Sequence, residues 1–247
     1  MVRALLAVFA VALGVEGIGL TPGQVHIETT GLAKGVHGTL EPAEPLPPEP
    51  EPGLGGWPEH LRFSFDDDKL YEHVSSGQRQ IVIYPAPAYS ELFRKAKKGD
   101  PVSFLPGLLA DGGGGIWGDL PILPPAEAAQ ILKVRLDLLK FRGGKGIRFL
   151  THYAQDDVPV TNAGLFYTFQ GLTDDGQYWV AVYYPIAASV LPKTIDDSPE
   201  SKDFEALSRH YDDYLNKTVE ALADEKTVFT PDLATLDAMV ESIEIRR

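Results

Sequence analysis

Apolar residues dominate five short segments of the chain, and in one of them apolar and polar residues alternate with the period of two that is typical of a half-buried β-strand. In this segment, HLRFSF, every second residue from Leu61 onward is apolar. The segments are also rich in aromatic and β-branched residues, which favour strands. The pattern therefore predicts β-strands near residues 60–65, 79–84, 147–155, 164–171 and 177–185.

The last two segments lie on either side of Asp175-Gly176, in the stretch GLFYTFQGLTDDGQYWVAVYYPI. This dipeptide indicates a β-hairpin, because glycine accepts a positive φ angle and aspartate tolerates one. The second strand has apolar or aromatic residues on both faces, so we expect both faces to be covered, one of them by helices. Its aromatic content leaves two interpretations open: a binding surface, or two core strands and the turn between them.

Helical patterns occur in four places. The strongest prediction is a helix over residues 125–141, PAEAAQILKVRLDLLKF, which is apolar over a broad arc. A short helix is predicted from near Ala88, and two more helices follow Ser198-Pro199 and Thr230-Pro231. The segment FLPGLLADGGGGIWGDLPILPP is predicted to be a loop, because prolines and glycines interrupt it.

Strands followed by helices in this order predict an α+β fold, a mostly antiparallel sheet flanked by helices. Residues 25–40 add two short strands around a Gly/Lys turn. Seven prolines lie between Glu41 and Glu59, and proline fixes φ and removes a hydrogen-bond donor. We therefore predict one domain over residues 25–247 with an extended Pro/Glu-rich loop at 41–58. The alternative interpretation of this loop is a PxxP ligand.

The first 17 residues, MVRALLAVFAVALGVEG, have the pattern of an export signal. One base, Arg3, precedes an apolar run from Ala4 to Val15 that is too short to span a bilayer. We expect a signal peptide over residues 1–17, cleaved near Gly17, and a secreted or extracytoplasmic product in the periplasm or cell envelope. No later segment has the length and apolar character that predict a membrane span.

Charge and composition exclude several classes of function. The 247 residues include 35 acidic and 22 basic ones, which gives a formal net charge of −13. The longest basic cluster is RKAKK, so long-range electrostatics disfavour nucleic acid and anionic membrane surfaces as partners. The sequence contains no cysteine, which excludes disulfides, thiolate metal sites and cysteine nucleophiles.

The sequence motifs that could indicate a catalytic, metal or phosphate site are incomplete or absent. Asp66-Asp67-Asp68 lacks the spacing of an EF-hand loop, and Gly112 to Gly115 lack the Lys-Ser/Thr of a phosphate-binding loop. Neither an HExxH nor a GxSxG motif occurs. We therefore predict no cofactor, no metal site and no catalytic residue. The β-turn is enough to account for aspartates at positions 174 and 175. The sequence leaves open whether Asp174 and Asp175 also bind a cation.

Four residues are candidate binding residues: Tyr178, Trp179, Gln170 and His152. Tyrosine and tryptophan combine a large apolar ring with a polar atom, which suits a binding surface if one face of the hairpin stays partly uncovered. Gln170 is a polar residue in an aromatic strand. These features favour a non-catalytic extracytoplasmic binding or accessory domain whose partner is an unknown small molecule or protein.

The alternative function is a hydrolase that uses His152 with Asp156 or Asp157, or a pair of carboxylates. A histidine paired with a carboxylate is the usual combination for general base catalysis. This hypothesis requires the groups to converge within hydrogen-bond distance in a concave pocket.

Three segments, LPILPP, GIRFLTHYAQ and FYTFQGLTDDGQYWVAVYYPI, resemble a family of uncharacterised bacterial exported proteins in which a similar YTFQGLTDDG segment recurs. The resemblance covers about Leu120 to Leu191 and implies an extracytoplasmic location, without an activity or catalytic residues. The layout of antiparallel strands, late helices and the terminal LDAMVESIEI also resembles the PsbP/Mog1-like fold, whose members are mostly non-catalytic assembly or binding proteins. The Pro-rich insertion and the GGGG loop depart from that fold.

Overall fold

The computed structural model describes residues 17–48, 54–66, 79–111 and 118–246. The strands in this part of the chain are β1 (Val25–His26), β2 (Val36–Glu41), β3 (His60–Phe65), β4 (Gln80–Pro85), β5 (Ala129–Phe141), β6 (Gly144–Ala154), β7 (Phe166–Thr173), β8 (Tyr178–Pro185), β9 (Ala187–Ala188), β10 (Phe229–Thr230) and β11 (Glu244–Ile245). The α-helices are α1 (Ala86–Ala96), α2 (Pro101–Ala110), α3 (Phe204–Arg209), α4 (Tyr211–Ala223) and α5 (Leu233–Ser242). Short 3₁₀ turns occur at Pro22–Gln24, Ile195–Asp197 and Pro199–Lys202.

Seven strands form one sheet in the order β2-β3-β4-β8-β7-β6-β5, and all neighbouring strands are antiparallel. The other four form two short antiparallel ladders, β1 with β11 and β9 with β10. The chain therefore has the α+β class that was predicted, a mostly antiparallel sheet with helices beside it. The single domain over residues 25–247 stays a prediction.

Helices lie on both faces of the sheet. On one face α4 and α5 pack mainly against β5, and their buried side chains there include Leu222, Leu236 and Val240. On the other face α1 and α2 pack against Trp179 and Ala181 of β8, with buried side chains that include Tyr89, Phe93 and Leu105. The prediction that both faces of the second hairpin strand are covered is thereby confirmed, with Tyr178 and Tyr183 half-buried.

The predicted hairpin is confirmed as β7 and β8. Gly176 has a φ of 70°, the left-handed conformation that the turn requires. An Asp175 Oδ1 atom accepts hydrogen bonds from the Gln177 amide at 3.0 Å and the Thr173 hydroxyl at 2.7 Å. The other predicted strands, near residues 60–65, 79–84 and 147–155, are confirmed as β3, β4 and β6.

The predicted helix over residues 125–141 is wrong, because most of this segment is the edge strand β5. A β-bulge at Arg135, whose φ is 56°, shifts the register of β5 against β6. The buried apolar side chains lie at even positions before the bulge and at odd positions after it: Leu132, Val134, Leu139 and Phe141. Because of this shift, the apolar residues of β5 do not follow one continuous period of two. The Ala, Leu and Lys residues of the segment also favour a helix in isolation.

The predicted loop after residue 103 is also wrong in its first part, which belongs to α2. Pro101 lies in the first turn of α2, where proline is tolerated, and the Asp100 side chain accepts a hydrogen bond from the Val102 amide at 2.9 Å. The buried residues of α2 follow helical spacing: Val102, Leu105, Leu108 and Leu109. Pro106 and Gly107 within this segment obscured the periodicity.

The first of the two predicted C-terminal helices is divided. Its expected path breaks into α3 and α4 at His210, whose φ of −128° and ψ of 26° are not helical. The second is confirmed as α5, which begins after Asp232, whose carboxylate accepts from the Thr235 amide at 2.9 Å. The division between α3 and α4 thus coincides with a non-helical residue, and the start of α5 coincides with a capping aspartate.

The two strands predicted within residues 25–40 are present, but they do not pair with each other. Strand β1 pairs with β11, and β2 pairs with β3. The predicted loop at 41–58 begins inside β2, since Glu41 is its last residue. Residues 49–53 of that loop are not among the described residues, and neither are residues 1–16 of the predicted signal peptide, Gly112 to Gly115, Asp67 and Asp68.

Among the described residues, no helix combines the length and the apolar character needed to cross a membrane. The same part of the chain contains no group of three or more His, Asp and Glu side chains placed to hold a metal ion.

A buried arginine joins α5 to the sheet. The Arg148 side chain on β6 is 8% exposed, and its Nε and Nη2 atoms donate to the two carboxylate oxygens of Asp237 at 3.1 and 3.0 Å. The Tyr167 hydroxyl donates to the same carboxylate at 2.9 Å. Burial, assisted by the Asp237 carboxylate, raises the pKa of Tyr167 well above its usual range, so its phenol stays a donor.

Candidate functional site

A groove lies at the β2–β3–β4 edge of the sheet, on the face that carries α1 and α2. The hydrophobic cluster under these helices includes Val82 and Tyr84 of β4 and, among the described residues, no hydrophobic residue of β2 or β3. The groove has a volume of about 270 Å³, slightly below the range of about 300–1,000 Å³ typical of drug-sized ligands. We name it the edge groove, and its lining includes Glu41, Glu44, Trp57, His60, Arg62 and Tyr84.

Strand β3 forms the floor of the edge groove because its side chains alternate. Leu61 points into the core of the opposite face, which leaves His60 and Arg62 on the groove side. In the register of β2 against β3, Glu41 lies opposite His60 and Thr39 lies opposite Arg62. A carboxylate, an imidazole and a guanidinium group therefore occupy neighbouring positions on one small surface.

The two ends of the Pro/Glu-rich segment form a wall of the edge groove. The backbone amides of Glu44 and Trp57 each donate to the carbonyl of the other residue, at 2.9 and 3.0 Å. The segment thus leaves and rejoins the sheet as an extension of the β2–β3 hairpin. Trp57 is 40% exposed, so its large ring offers apolar surface beside the charged floor.

Arg62 provides the positive charge of the edge groove. Its side chain is half-buried, and its Nε atom is buried without a hydrogen-bond partner among the described residues. Its guanidinium makes no ion pair within those residues either. A buried donor left without a partner costs about 1–3 kcal/mol, and arginine binds carboxylate and phosphate groups well. Arg62 is therefore the clearest sign of a ligand with an anionic group.

His60 contributes a neutral imidazole to the floor. Its Nδ1 lies 2.9 Å from the Pro58 carbonyl oxygen, and because a carbonyl can only accept, Nδ1 carries the proton. Burial lowers the pKa of His60, so Nε2 keeps a lone pair that can accept a hydrogen bond at neutral pH. The ring packs on Tyr84 at 4.7 Å between centroids, and Tyr84 packs on Tyr89 at 4.8 Å. These contacts fix the orientation of the imidazole.

Two larger depressions lie along α3 and α4, with volumes of about 340 and 410 Å³. His210 lines both of them and is exposed. The edge groove is lined by Arg62, whose buried Nε atom has no hydrogen-bond partner within the described part of the chain, and neither depression is lined by Arg62, Tyr89 or His152, which each bury such an atom. The edge groove is therefore the stronger candidate site.

The structure places two predicted binding residues, Trp179 and Gln170, inside the core. Both are 0% exposed. The Trp179 indole nitrogen donates to the Gln170 Oε1 atom at 2.8 Å, and the same atom accepts from the Leu123 amide at 3.1 Å. The Gln170 Nε2 atom donates to the Thr168 hydroxyl at 2.8 Å. The condition for an aromatic binding surface, a partly uncovered face, is therefore not met at Trp179 or Gln170, and their polar atoms serve the core.

Tyr178 lies on the opposite face of β8 from Trp179 and is half-buried. Its hydroxyl donates to the Ile18 carbonyl at 3.2 Å, which ties the hairpin to the N-terminal segment. Tyr178 does not line the edge groove. Its role in binding stays a prediction, but the structure does not bring it together with the other candidate binding residues.

His152 is a buried residue of β6, 8% exposed, and its Nδ1 atom has no hydrogen-bond partner among the described residues. Asp156 and Asp157 are exposed in the turn that follows β6. No hydrogen bond or ion pair within the described chain joins His152 to either carboxylate. Within the described residues, the structure therefore does not bring His152 together with Asp156 or Asp157.

His152 makes the stability of the fold depend on pH. Burial lowers its pKa from 6.5 to about 4, so the folded chain holds this ring neutral while the unfolded chain protonates it below pH 6.5. The stabilisation is complete above pH 6.5 and is lost as the pH falls towards 4. We expect His152 to account for up to about 3 kcal/mol of that loss, measured as the free energy of unfolding by urea denaturation between pH 7 and 4.

The matched variants are His152→Gln and, at an exposed site, His210→Gln. His152→Gln should flatten the decline of stability with acid, whatever its effect at neutral pH, whereas His210→Gln should preserve the wild-type slope. An unchanged slope in His152→Gln would show that other groups cause the acid dependence.

Scans of the chain against protein-family models, curated proteins and solved structures give no match. The resemblance of residues 120–191 to bacterial exported proteins therefore stays a prediction. The site has to be interpreted from its own geometry.

The residues of the edge groove were not among those predicted to bind a ligand. The strand HLRFSF was predicted with the correct alternation, so the sequence did indicate that Arg62 lies away from the core. A further signal was Trp57, a large apolar residue within the polar Pro/Glu-rich segment. The sequence does not show that β2 lies at the edge of the sheet, and this edge position is what leaves the groove face of β3 open.

Proposed function

We propose that this chain is a non-catalytic binding or accessory domain that acts outside the cytoplasmic membrane, and that the edge groove holds its ligand. The observation that supports this most directly is the Arg62 guanidinium, which has no partner within the described residues and lines a concave surface beside the exposed Trp57. A carboxylate or phosphate of the ligand would bind Arg62. An apolar or planar group would pack on Trp57.

We further propose a PsbP/Mog1-like arrangement for the fold. The support is an antiparallel sheet with helices on both faces and a late helix, α5, near the C-terminal end. Proteins of that fold mostly bind or assemble rather than catalyse, which agrees with a binding role for the groove. The partner is a small molecule or a segment of another protein.

The groove is tested by thermal-shift measurements with a library of amino acids, short peptides, carboxylic acids, phosphates and sugars. The wild type is compared with Arg62→Gln and with Arg209→Gln, which changes an exposed arginine paired with Glu205. We expect compounds that stabilise the wild type to stabilise Arg209→Gln equally and to lose at least tenfold in affinity for Arg62→Gln, because the variant lacks the guanidinium charge.

Two results of the same screen would contradict the proposal. A ligand that still binds Arg62→Gln but not Tyr178→Ala would place the site on the hairpin. Conversion of a bound compound into product, followed by mass spectrometry, would identify the protein as an enzyme.

Export is tested separately on the native protein. Since the leader has one base followed by a short apolar run, we expect the exported protein to lack about the first 17 residues. Intact-mass measurement of the protein from the periplasm or culture medium of an exporting bacterial host checks this. A full-length chain confined to the cytoplasm would contradict it.

A further inference from the structure

The segment that follows the predicted signal peptide is anchored at its first residues. Ile18 and Leu20 are 4% and 5% exposed and belong to the core on the α4–α5 face, whereas Gly17 is exposed. The Ile18 backbone nitrogen donates to the Glu59 Oε1 atom at 3.0 Å, across 41 positions of sequence. Ile18 is thus the first buried residue of the described chain, and its buried side chain and backbone nitrogen hold this end of the segment on the fold, although Gly19 after it is exposed.

We propose that the bond between Gly17 and Ile18 is the processing site, and that the new α-ammonium group of Ile18 forms an ion pair with the Glu59 carboxylate. The inference rests on the export proposed above and adds the cleaved bond and its structural role. Glu59 directly precedes β3 and is half-buried, so it is fixed in place when the sheet forms. The Glu59 carboxylate already lies beside the Ile18 nitrogen, so it can pair with an ammonium group formed there by cleavage.

The residue types at the boundary suit this reaction. Small residues are preferred just before a signal-peptidase cleavage site, and Gly17 occupies that position, with Val15 two residues before it. A side chain at Gly17 would also meet Glu59, since an added Cβ atom would lie 2.6 Å from Oε1. Glycine at this position therefore permits both the cleavage and the close approach of the carboxylate.

The covalent step is the hydrolysis of one peptide bond by a signal peptidase. One water is consumed, the Gly17 carbonyl carbon becomes a carboxylate, and the amine remains on Ile18. That amine takes up a proton below its usual pKa of about 8. The hydrogen bond from Ile18 to Glu59 then becomes charge-assisted on both sides, which makes it roughly twice as strong as a neutral one.

The other groups in contact with this pair are few. The Tyr178 hydroxyl on β8 donates to the Ile18 carbonyl at 3.2 Å and is a titratable neighbour contributed by another element. The described contacts add no lysine or arginine that pairs with Glu59. Pairing with Glu59 raises the pKa of the ammonium above its unfolded value, so its stabilisation is complete below about pH 8 and is lost as the pH rises through the raised pKa.

The experiment uses the full chain, expressed with its leader in an exporting bacterial host, as wild type, Glu59→Gln and Tyr178→Phe. Glu59→Gln keeps an accepting oxygen without the charge. Tyr178→Phe removes only the hydroxyl group and keeps the ring. The N-terminus of each exported protein is determined by mass spectrometry, and Tm is measured from pH 6.5 to 9.5. We expect the wild type to begin at Ile18 and Glu59→Gln to melt about 2–4 °C lower at pH 7, with the gap closing at high pH. Tyr178→Phe should show the same pH dependence as the wild type.

Each outcome decides between the two proposals. An exported protein that begins at another residue, or a Glu59→Gln deficit that does not change with pH, would overturn the ion pair and leave export intact. A chain that is not exported and keeps its leader would overturn both. A pH dependence lost in Tyr178→Phe would assign it to the phenol and would also overturn the ion pair.

Discussion

Replacing Asp237 with alanine is expected to lower the free energy of unfolding by about 3–5 kcal/mol, one of the two largest effects in the molecule. The substitution removes the carboxylate that accepts from Arg148 at 3.1 and 3.0 Å and from the Tyr167 hydroxyl at 2.9 Å. Arg148 would then keep a buried positive charge with only a peripheral carboxylate, Asp137, whose side chain is 60% exposed. Urea denaturation at pH 7 measures the change.

The control for Asp237→Ala is Glu205→Ala, which breaks an exposed pair with Arg209. Exposed ion pairs contribute little to stability, so this variant should unfold like the wild type. A second variant, Arg148→Met with Asp237→Leu, removes both charges and should recover much of the loss, because the penalty comes from an unpaired buried charge. If Asp237→Ala remained within 1 kcal/mol of the wild type, the ion pair would not join α5 to the sheet in the way described.

Replacing Trp179 with alanine is expected to cost about 3–5 kcal/mol as well. The side chain is fully buried under α1 and α2, so its removal leaves a cavity, and the Gln170 Oε1 atom loses one of its two donors. Trp179→Phe, which keeps most of the volume but not the N–H, should cost less. Thermal and urea unfolding measure both variants.

Trp57→Ala is the matched control, since Trp57 is 40% exposed and contributes to the groove rather than the core. It should change stability little and weaken ligand binding. If Trp57→Ala destabilised the protein as strongly as Trp179→Ala, the assignment of one tryptophan to the core and the other to the groove would be wrong.

The elements predicted correctly from the sequence are those whose determinants are local. The strand β3 follows from uninterrupted alternation of apolar and polar residues. The hairpin of β7 and β8 follows from aromatic and β-branched composition and from a turn that glycine makes possible. Strand β5 was mistaken for a helix because a bulge at Arg135 interrupts the alternation, and the bulge is stabilised by the partner strand rather than by the local sequence.

The candidate site was harder to predict for a related reason. Trp57, Arg62 and Glu41 come together only through the register of β2 against β3 and the bridge between Glu44 and Trp57. Nothing local shows which strand ends the sheet or which face the helices leave open. The aromatic hairpin was prominent in the sequence, yet its position in the middle of the sheet places Trp179 in the core.

The short ladder of β1 with β11 determines how the protein responds to mechanical force. Val25 pairs with Ile245 and His26 with Glu244, so the chain before β1 and the chain after β11 leave the ladder at the same end. Tension applied through these two segments acts across the ladder, and its hydrogen bonds break one after another instead of sharing the load. Once Ile18 and Leu20 have left the core, we therefore expect the ladder to open one hydrogen bond at a time, before the seven-stranded sheet is strained.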